Sequence, residues 1–206
     1  MASEEEKLKK PFWSDPDAFG VVQTLFGGAR VLTTREEVLH FACSQALKTG
    51  LFLELGVASG TSIRFLASSF PDQQFYGFDS FEGLPEAWER GDMRVWKGAF
   101  RQEHLPSVPS NVQLIAGWFS DTLRKIEEPI SFLHIDCDLY SSTKEAFDIL
   151  GDQIGKGTVI VFDEFYNYPG FEEHEFKAFT EFLEKKALKG EPIAYNAFHE
   201  QVAFKV

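Results

Sequence analysis

Short apolar runs rich in β-branched and aromatic residues recur at 51–55, 74–78, 112–115, 131–135 and 158–162, with helical patterns set between them. That alternation constrains the chain to βαβ units and a largely parallel sheet covered on both faces, because parallel neighbours need a crossover long enough for a helix. Helices are predicted over 61–69, 120–127 and 142–153, the first opening on a Thr and the last on a Ser able to cap orphan amides. An amphipathic helix over 35–48 precedes the first run, with Val38, Leu39, Ala42, Ala46 and Leu47 on one face. Another over 172–186 carries Phe176, Phe179, Phe182 and Leu183 at helical spacing. Strands at 192–196 and 201–206, joined tightly around 197–200, end the chain. The whole reads as an α/β, Rossmann-like, doubly wound sheet, with an N-terminal segment, 1–34, before a single domain over 35–206.

The charge balance narrows the partners. With 20 basic against 32 acidic side chains the chain carries a formal −12, which repels a phosphate backbone, so nucleic acid is not expected. The charged opening 1–10 has no apolar stretch behind it, and no later apolar run approaches membrane-spanning length, so neither a signal nor a membrane contact is expected and a cytoplasmic location follows. A homodimer is compatible with such a chain. Cys43 and Cys137 lie far apart without CxxC spacing and read as reduced, structural thiols. The 22 phenylalanines read as core. Between 81 and 109 the sequence mixes Gly, Pro, Trp and charge without a period, as lids and binding loops do. Trp88, Trp96 and Phe100 could cover a substrate or dock that excursion to its own surface.

In 51–61, LFLELGVASGT, a buried strand enters a glycine-bearing turn and then a helix, as in a nucleotide-binding first βα unit. Ala58 stands where a dinucleotide fingerprint needs its second glycine, and Gly56 and Gly60 are spaced GxxxG, so a ligand without a pyrophosphate fits better. S-adenosylmethionine is such a ligand. Glu54 is placed to orient the turn or the amino-acid tail, Gly56 and Ser59 to hold the tail, and Asp79, roughly twenty residues on with Ser80 beside it, to accept the ribose hydroxyls. Gly117 and Trp118 after the third run could frame an adenine, although Trp118 packing on the following helix is equally open.

The fourth and fifth runs end in Asp136 and in Asp163-Glu164. In a doubly wound sheet the first, fourth and fifth strands are neighbours, so these acids meet at the crevice beside Gly56. Crowded carboxylates repel unless a cation sits among them, and an all-oxygen set suits Mg²⁺, Mn²⁺ or Ca²⁺ rather than zinc. Asp136, Asp163 and Glu164 are therefore the candidate metal ligands, Mg²⁺ the first candidate, and Asp136 also the candidate catalytic base and a neighbour of the donor. The expected chemistry is methyl transfer to a hydroxyl whose proton the metal makes labile. His134 reads as a hydrogen-bonded core histidine and His174 as an exposed one at a helix start.

The segments ELGVASGTS at 54–62, FYGFDSFEGLPE at 75–86, HIDCDLYSSTKEAF at 134–147 and VIVFDEF at 159–165 resemble the macrocin O-methyltransferase family of class I S-adenosylmethionine-dependent methyltransferases. The resemblance implies a seven-stranded sheet with its last strand antiparallel, S-adenosylmethionine as donor, and magnesium held by acids matching Asp136, Asp163 and Glu164. Where that family commonly ends its fifth strand on two aspartates, this chain has Glu164 second. A glycosyltransferase using Asp136-Cys-Asp138 as a DxD motif, and a noncatalytic S-adenosylmethionine-binding protein, are the rival readings.

Overall fold

Residue parity builds the core. The computed structural model describes residues 25–91 and 93–206, so the charged opening 1–10 lies outside the described residues. In β2 (Leu51–Leu55), β7 (Ile130–Ile135) and β8 (Val159–Phe162), nearly every side chain is buried, and successive residues enter opposite layers. Leu53, Leu55, Leu133, Ile135, Ile160 and Phe162 join one cluster, while Phe52, Phe132, Val159 and Val161 join the other. Helices α4 (Tyr140–Leu150) and α5 (Glu175–Lys186) cover the first face, where Phe147 stacks on Phe182 at 4.4 Å between ring centroids. The second face is covered by α1 (Arg35–Gln45) through Val38, Leu39 and Ala42 and by α2 (Thr61–Ser69) through Ile63 and Leu66.

The remaining strands are β1 (Arg30–Leu32), β3 (Phe75–Asp79), β6 (Val112–Ala116), β9 (Glu191–Asn196) and β10 (Val202–Lys205). The sheet runs β1-β9-β10-β8-β7-β2-β3-β6, all parallel except β10, which is antiparallel to both neighbours. The doubly wound expectation and its antiparallel last strand are met. An eighth strand is added because β1 pairs with β9 and carries the sheet back before position 35; three residues are too few to show a period.

Three local expectations are corrected. Within 81–109, β4 (Trp88–Arg90) and β5 (Met93–Val95) form a two-stranded ribbon, although the span shows no sustained alternation. The helix expected over 120–127 shrinks to α3 (Phe119–Thr122) followed by a 3₁₀ turn over Leu123–Lys125. Neither α2 nor α4 takes a side-chain cap: their caps are Gly60 and Leu139, so Thr61 begins its helix from inside. Both cysteines are free and buried, as expected, and burial pushes the Cys43 thiol up to about 12.

Candidate active site

The site lies where the parallel ladders run out. Past the strand ends, the N–H of Gly117 donates to Asp79, Gly56 to Phe78, Asp136 to Leu55 and Asp163 to Ile135, each at 2.9–3.0 Å. One hydrogen-bonded row across five strands thus aligns the glycine turn with both acidic strand ends, as the expected order of neighbours requires. Gly56 adopts φ +88°, and a Cβ there would collide with the Asp136 carbonyl, so the turn can lie against β7 only as glycine. Above the row opens a cavity of about 620 Å³, lined by Gly56, Asp79, Gly117, Asp136, Asp163 and Glu164, among others.

On the donor side, Asp79 Oδ2 accepts the N–H groups of Val57 and Ala58 at 2.8 Å, and Oδ1 accepts that of Phe81 at 2.6 Å. Asp79 therefore laces the glycine turn to β3 and still reaches the cavity, where a carboxylate has lone pairs left for further donors. Ser80, Gly117 and Trp118 also line the wall; Trp118 is 37% exposed, a ring not consumed by packing. Glu54 and Ser59 stand elsewhere. Glu54 is fully buried, accepting from Ser62 Oγ at 2.9 Å and bonded to His134 Nδ1 at 2.9 Å, so it steadies the turn from behind. Ser59 pairs its hydroxyl with Thr61 on the exposed side and is not part of the cavity wall.

Parity explains the acid side. Glu54, His134 and Asp163 continue the face of Phe52, Phe132 and Val161, and Glu54 lies in register with His134 across β2 and β7. His134 is the core histidine expected: Nδ1 meets Glu54, and Nε2 lies 3.6 Å from Asp163 Oδ1. Burial pulls its pKa down, but contact with Asp163 and Glu54 outweighs that and pushes it up to about 10. Arg35, the first residue of α1 on the same face, donates from Nη2 to Asp136 and from Nε to Asp163 Oδ1 at 2.6 Å. Burial would raise Asp163, yet His134 and Arg35 hold its pKa below the ordinary carboxylate value.

The other acids are less fully partnered, Asp136 sharing Arg35 with Asp163. Burial, then the charge of Asp163, pushes Asp138 up to about 7 and raises Asp136 and Glu164 well above the carboxylate range. Among the described residues, Glu164 Oε2 and Glu175 Oε1 are buried without a hydrogen-bond partner. Ligand oxygens of Asp136, Asp138 and Glu164 lie within 4.8 Å of one another, and atoms of His134, Asp136 and Asp163 form a second such group. The expected trio is thus brought into one crevice but divided, with Asp136 common to both groups. A carboxylate set with an orphaned buried oxygen fits a hard divalent cation.

Sequence reasoning missed Arg35, which packs against acids 101 and 128 positions away. Its signal was a cation at the helix end where cations are disfavoured. Asp138 was weighed only as half of a rival motif, although its φ of +64° is the kind of backbone strain that gathers at sites. Arg90 was missed too: its guanidinium lies 4.6 Å from the Trp88 ring centroid and 4.4 Å from that of Tyr168, pairs with Glu200, and reaches the cavity. Trp88 and Phe100 line the cavity, whereas Trp96 is 68% exposed away from it. His174 caps α5 but is half-buried rather than exposed, because its Nε2 bonds the Glu89 carbonyl at 2.7 Å and its ring meets Trp88 edge-on.

A doubly wound sheet with a ligand-sized cavity at its carboxyl ends, floored by a glycine turn and an acid on the next strand, is the framework of an α/β enzyme that binds a nucleoside-bearing cofactor. A family model described as a methyltransferase domain matches residues 53–165, and the chain belongs to that family. Among curated proteins no match is found. Solved structures share the fold. The calicheamicin methyltransferase CalS11 is 18% identical with a TM-score of 0.67, covering 100% of this chain and 94% of that one. The O-methyltransferase NovP is 20% identical with a TM-score of 0.61, covering 83% of this chain and 78% of that one. The MycE methyltransferase from the mycinamycin biosynthetic pathway, in complex with Mg and SAH, is 16% identical with a TM-score of 0.50, covering 81% of this chain and 47% of that one.

Proposed function

We propose that this methyltransferase moves a methyl group from S-adenosylmethionine to a hydroxyl of a small molecule, a sugar or another secondary metabolite, with a divalent cation, Mg²⁺ by donor chemistry. One observation carries the reading: the glycine turn and a cluster of carboxylates, with an unpartnered buried oxygen on Glu164, share a single cavity, with Gly56 seated directly on the Asp136 backbone. The Mg and SAH named for MycE suit the same pairing of sites.

Asp79 and Ser80 would hold the ribose, the Gly56 turn the amino-acid tail, and Gly117 with Trp118 the adenine, while Glu54 and Ser59 support the turn from outside the wall. Asp136, with Asp163, Glu164 and the neighbouring Asp138, would hold the cation. When bound, such a cation lowers the pKa of a coordinated hydroxyl and fixes its oxygen. Asp136, whose backbone carbonyl lies against Gly56, is one candidate to receive the acceptor's proton. Asp138, also on the cavity wall, is the second. Among the described residues no helix is long and apolar enough to cross a membrane. Together with the acidic surface this favours a cytoplasmic enzyme working on small molecules, as a single domain and with a homodimer as a compatible assembly.

The test is S-adenosylhomocysteine release from labelled donor with a panel of sugars, phenols and polyketides, with and without chelator. Acceptor-dependent release that chelation abolishes and Mg²⁺ restores is expected. Undiminished turnover in chelator contradicts the metal, and release of nucleotide from sugar donors instead restores the DxD reading.

A further inference from the structure

Arg35 sits where helix α1 itself gives no reason for a cation. The field at a helix N-terminus opposes positive charge, and the helix start is already complete without it, because Thr34 and Glu37 form a reciprocal capping box. What draws the guanidinium inward is the acid edge, where its fork spans two carboxylates on different strands, Asp136 and Asp163. The side chain is 29% exposed, so it enters from the rim along a path that leads back to water. Asp136 belongs to both groups able to take a cation, and Asp163 to the one with His134, so the carboxylates that Arg35 grips are ones that a divalent ion would use. Two cations at that separation repel strongly in a partly buried crevice.

We infer that Arg35 is a built-in competitor of the divalent cation: it bridges Asp136 and Asp163 when no metal is present and withdraws to the rim when a metal takes their oxygens. Arg35 is thus a positioning residue that keeps the crevice formed while setting how tightly metal is held. The inference rests on the metal-assisted reading above.

Mn²⁺ titration of the full chain, followed by electron paramagnetic resonance without donor or acceptor, separates the two. Arg35→Ala is expected to bind Mn²⁺ roughly tenfold more tightly than wild type. Arg35→Lys, a point charge that cannot fork to both carboxylates, is expected to fall between them. A purely structural role would lower the melting temperature alone; competition also makes the Mn²⁺-induced rise in melting temperature larger in Arg35→Ala than in wild type. Binding by Arg35→Ala with none by wild type supports the inference in its strongest form. Equal or weaker binding by both variants, with wild type binding, overturns it and leaves the metal reading standing. If Arg35→Ala does not fold, the Lys variant decides, and no gain there overturns the inference. Absence of binding by every form overturns the metal reading itself.

Discussion

On the donor side of the cavity three backbone N–H groups converge on one carboxylate, Asp79, two from the glycine turn and one from Phe81, so the turn is settled before any ligand arrives. On the acid side the carboxylates outnumber their partners: Arg35 and His134 serve Asp136, Asp163 and Glu54, while Glu164 and Glu175 each bury an oxygen with nothing to meet it among the described residues. The first wall is preorganised by the backbone, and the second is held short of a positive charge. A cavity of this kind is shaped for one ligand by hydrogen bonds and for another by unspent charge, and the two halves should fail differently when altered.

The largest effect is expected where the halves touch. Gly56→Ala puts a Cβ into the Asp136 carbonyl at a positive φ, so a loss of more than ~3 kcal/mol in denaturant unfolding, or no folding, is expected together with loss of both ligands. A wild-type-like midpoint would break the claim that the walls are one structure. Next, His134→Leu leaves Glu54 buried with Ser62 alone and should cost about 3–5 kcal/mol, felt at both the glycine turn and the acids. The same pair fixes a pH dependence. Because the folded pKa of His134, about 10, lies above its ordinary 6.5, its contribution is complete below 6.5 and fades as pH rises toward 10. Wild type should therefore lose melting temperature across that window faster than His134→Leu; parallel curves would mean a neutral histidine.

The comparison sharpens with a crossed pair. Asp79→Asn keeps one acceptor oxygen but sets an amide among three N–H groups, for about 1.5–3 kcal/mol of stability and a large loss of S-adenosylmethionine binding with metal binding spared. Glu164→Gln should do the reverse in calorimetry, losing Mg²⁺ and keeping the donor. Identical losses from both would erase the distinction between the walls. The smallest effect is expected from Trp96→Ala, whose ring faces solvent, within about ±0.5 kcal/mol and without change in donor affinity.

How much of this was legible depends on whether the signal is local. The 51–55 strand and the 61–69 helix match β2 and α2 to the residue, since apolar continuity and a glycine turn are written in adjacent positions. The meeting of Asp136 with Asp163 and Glu164 was also legible, because it follows from strand order, which the alternation of elements constrains. Arg35 was not, since its partners are more than a hundred positions away and only the packing of α1 on the sheet brings them together. Glu54 shows the same limit in reverse: parity puts it beneath the turn, facing His134, where strand-end position alone suggested the ligand. Asp138 turns toward the cavity through a left-handed residue that no periodicity announces.

The most direct measurement is anomalous diffraction from crystals grown with S-adenosylhomocysteine and Mn²⁺. The expected result is adenosyl density along Asp79 and Gly117 with one anomalous peak among the oxygens of Asp136, Asp163 and Glu164. A peak elsewhere, no peak at saturating Mn²⁺, or an adenosyl group outside the Gly56 turn would contradict it.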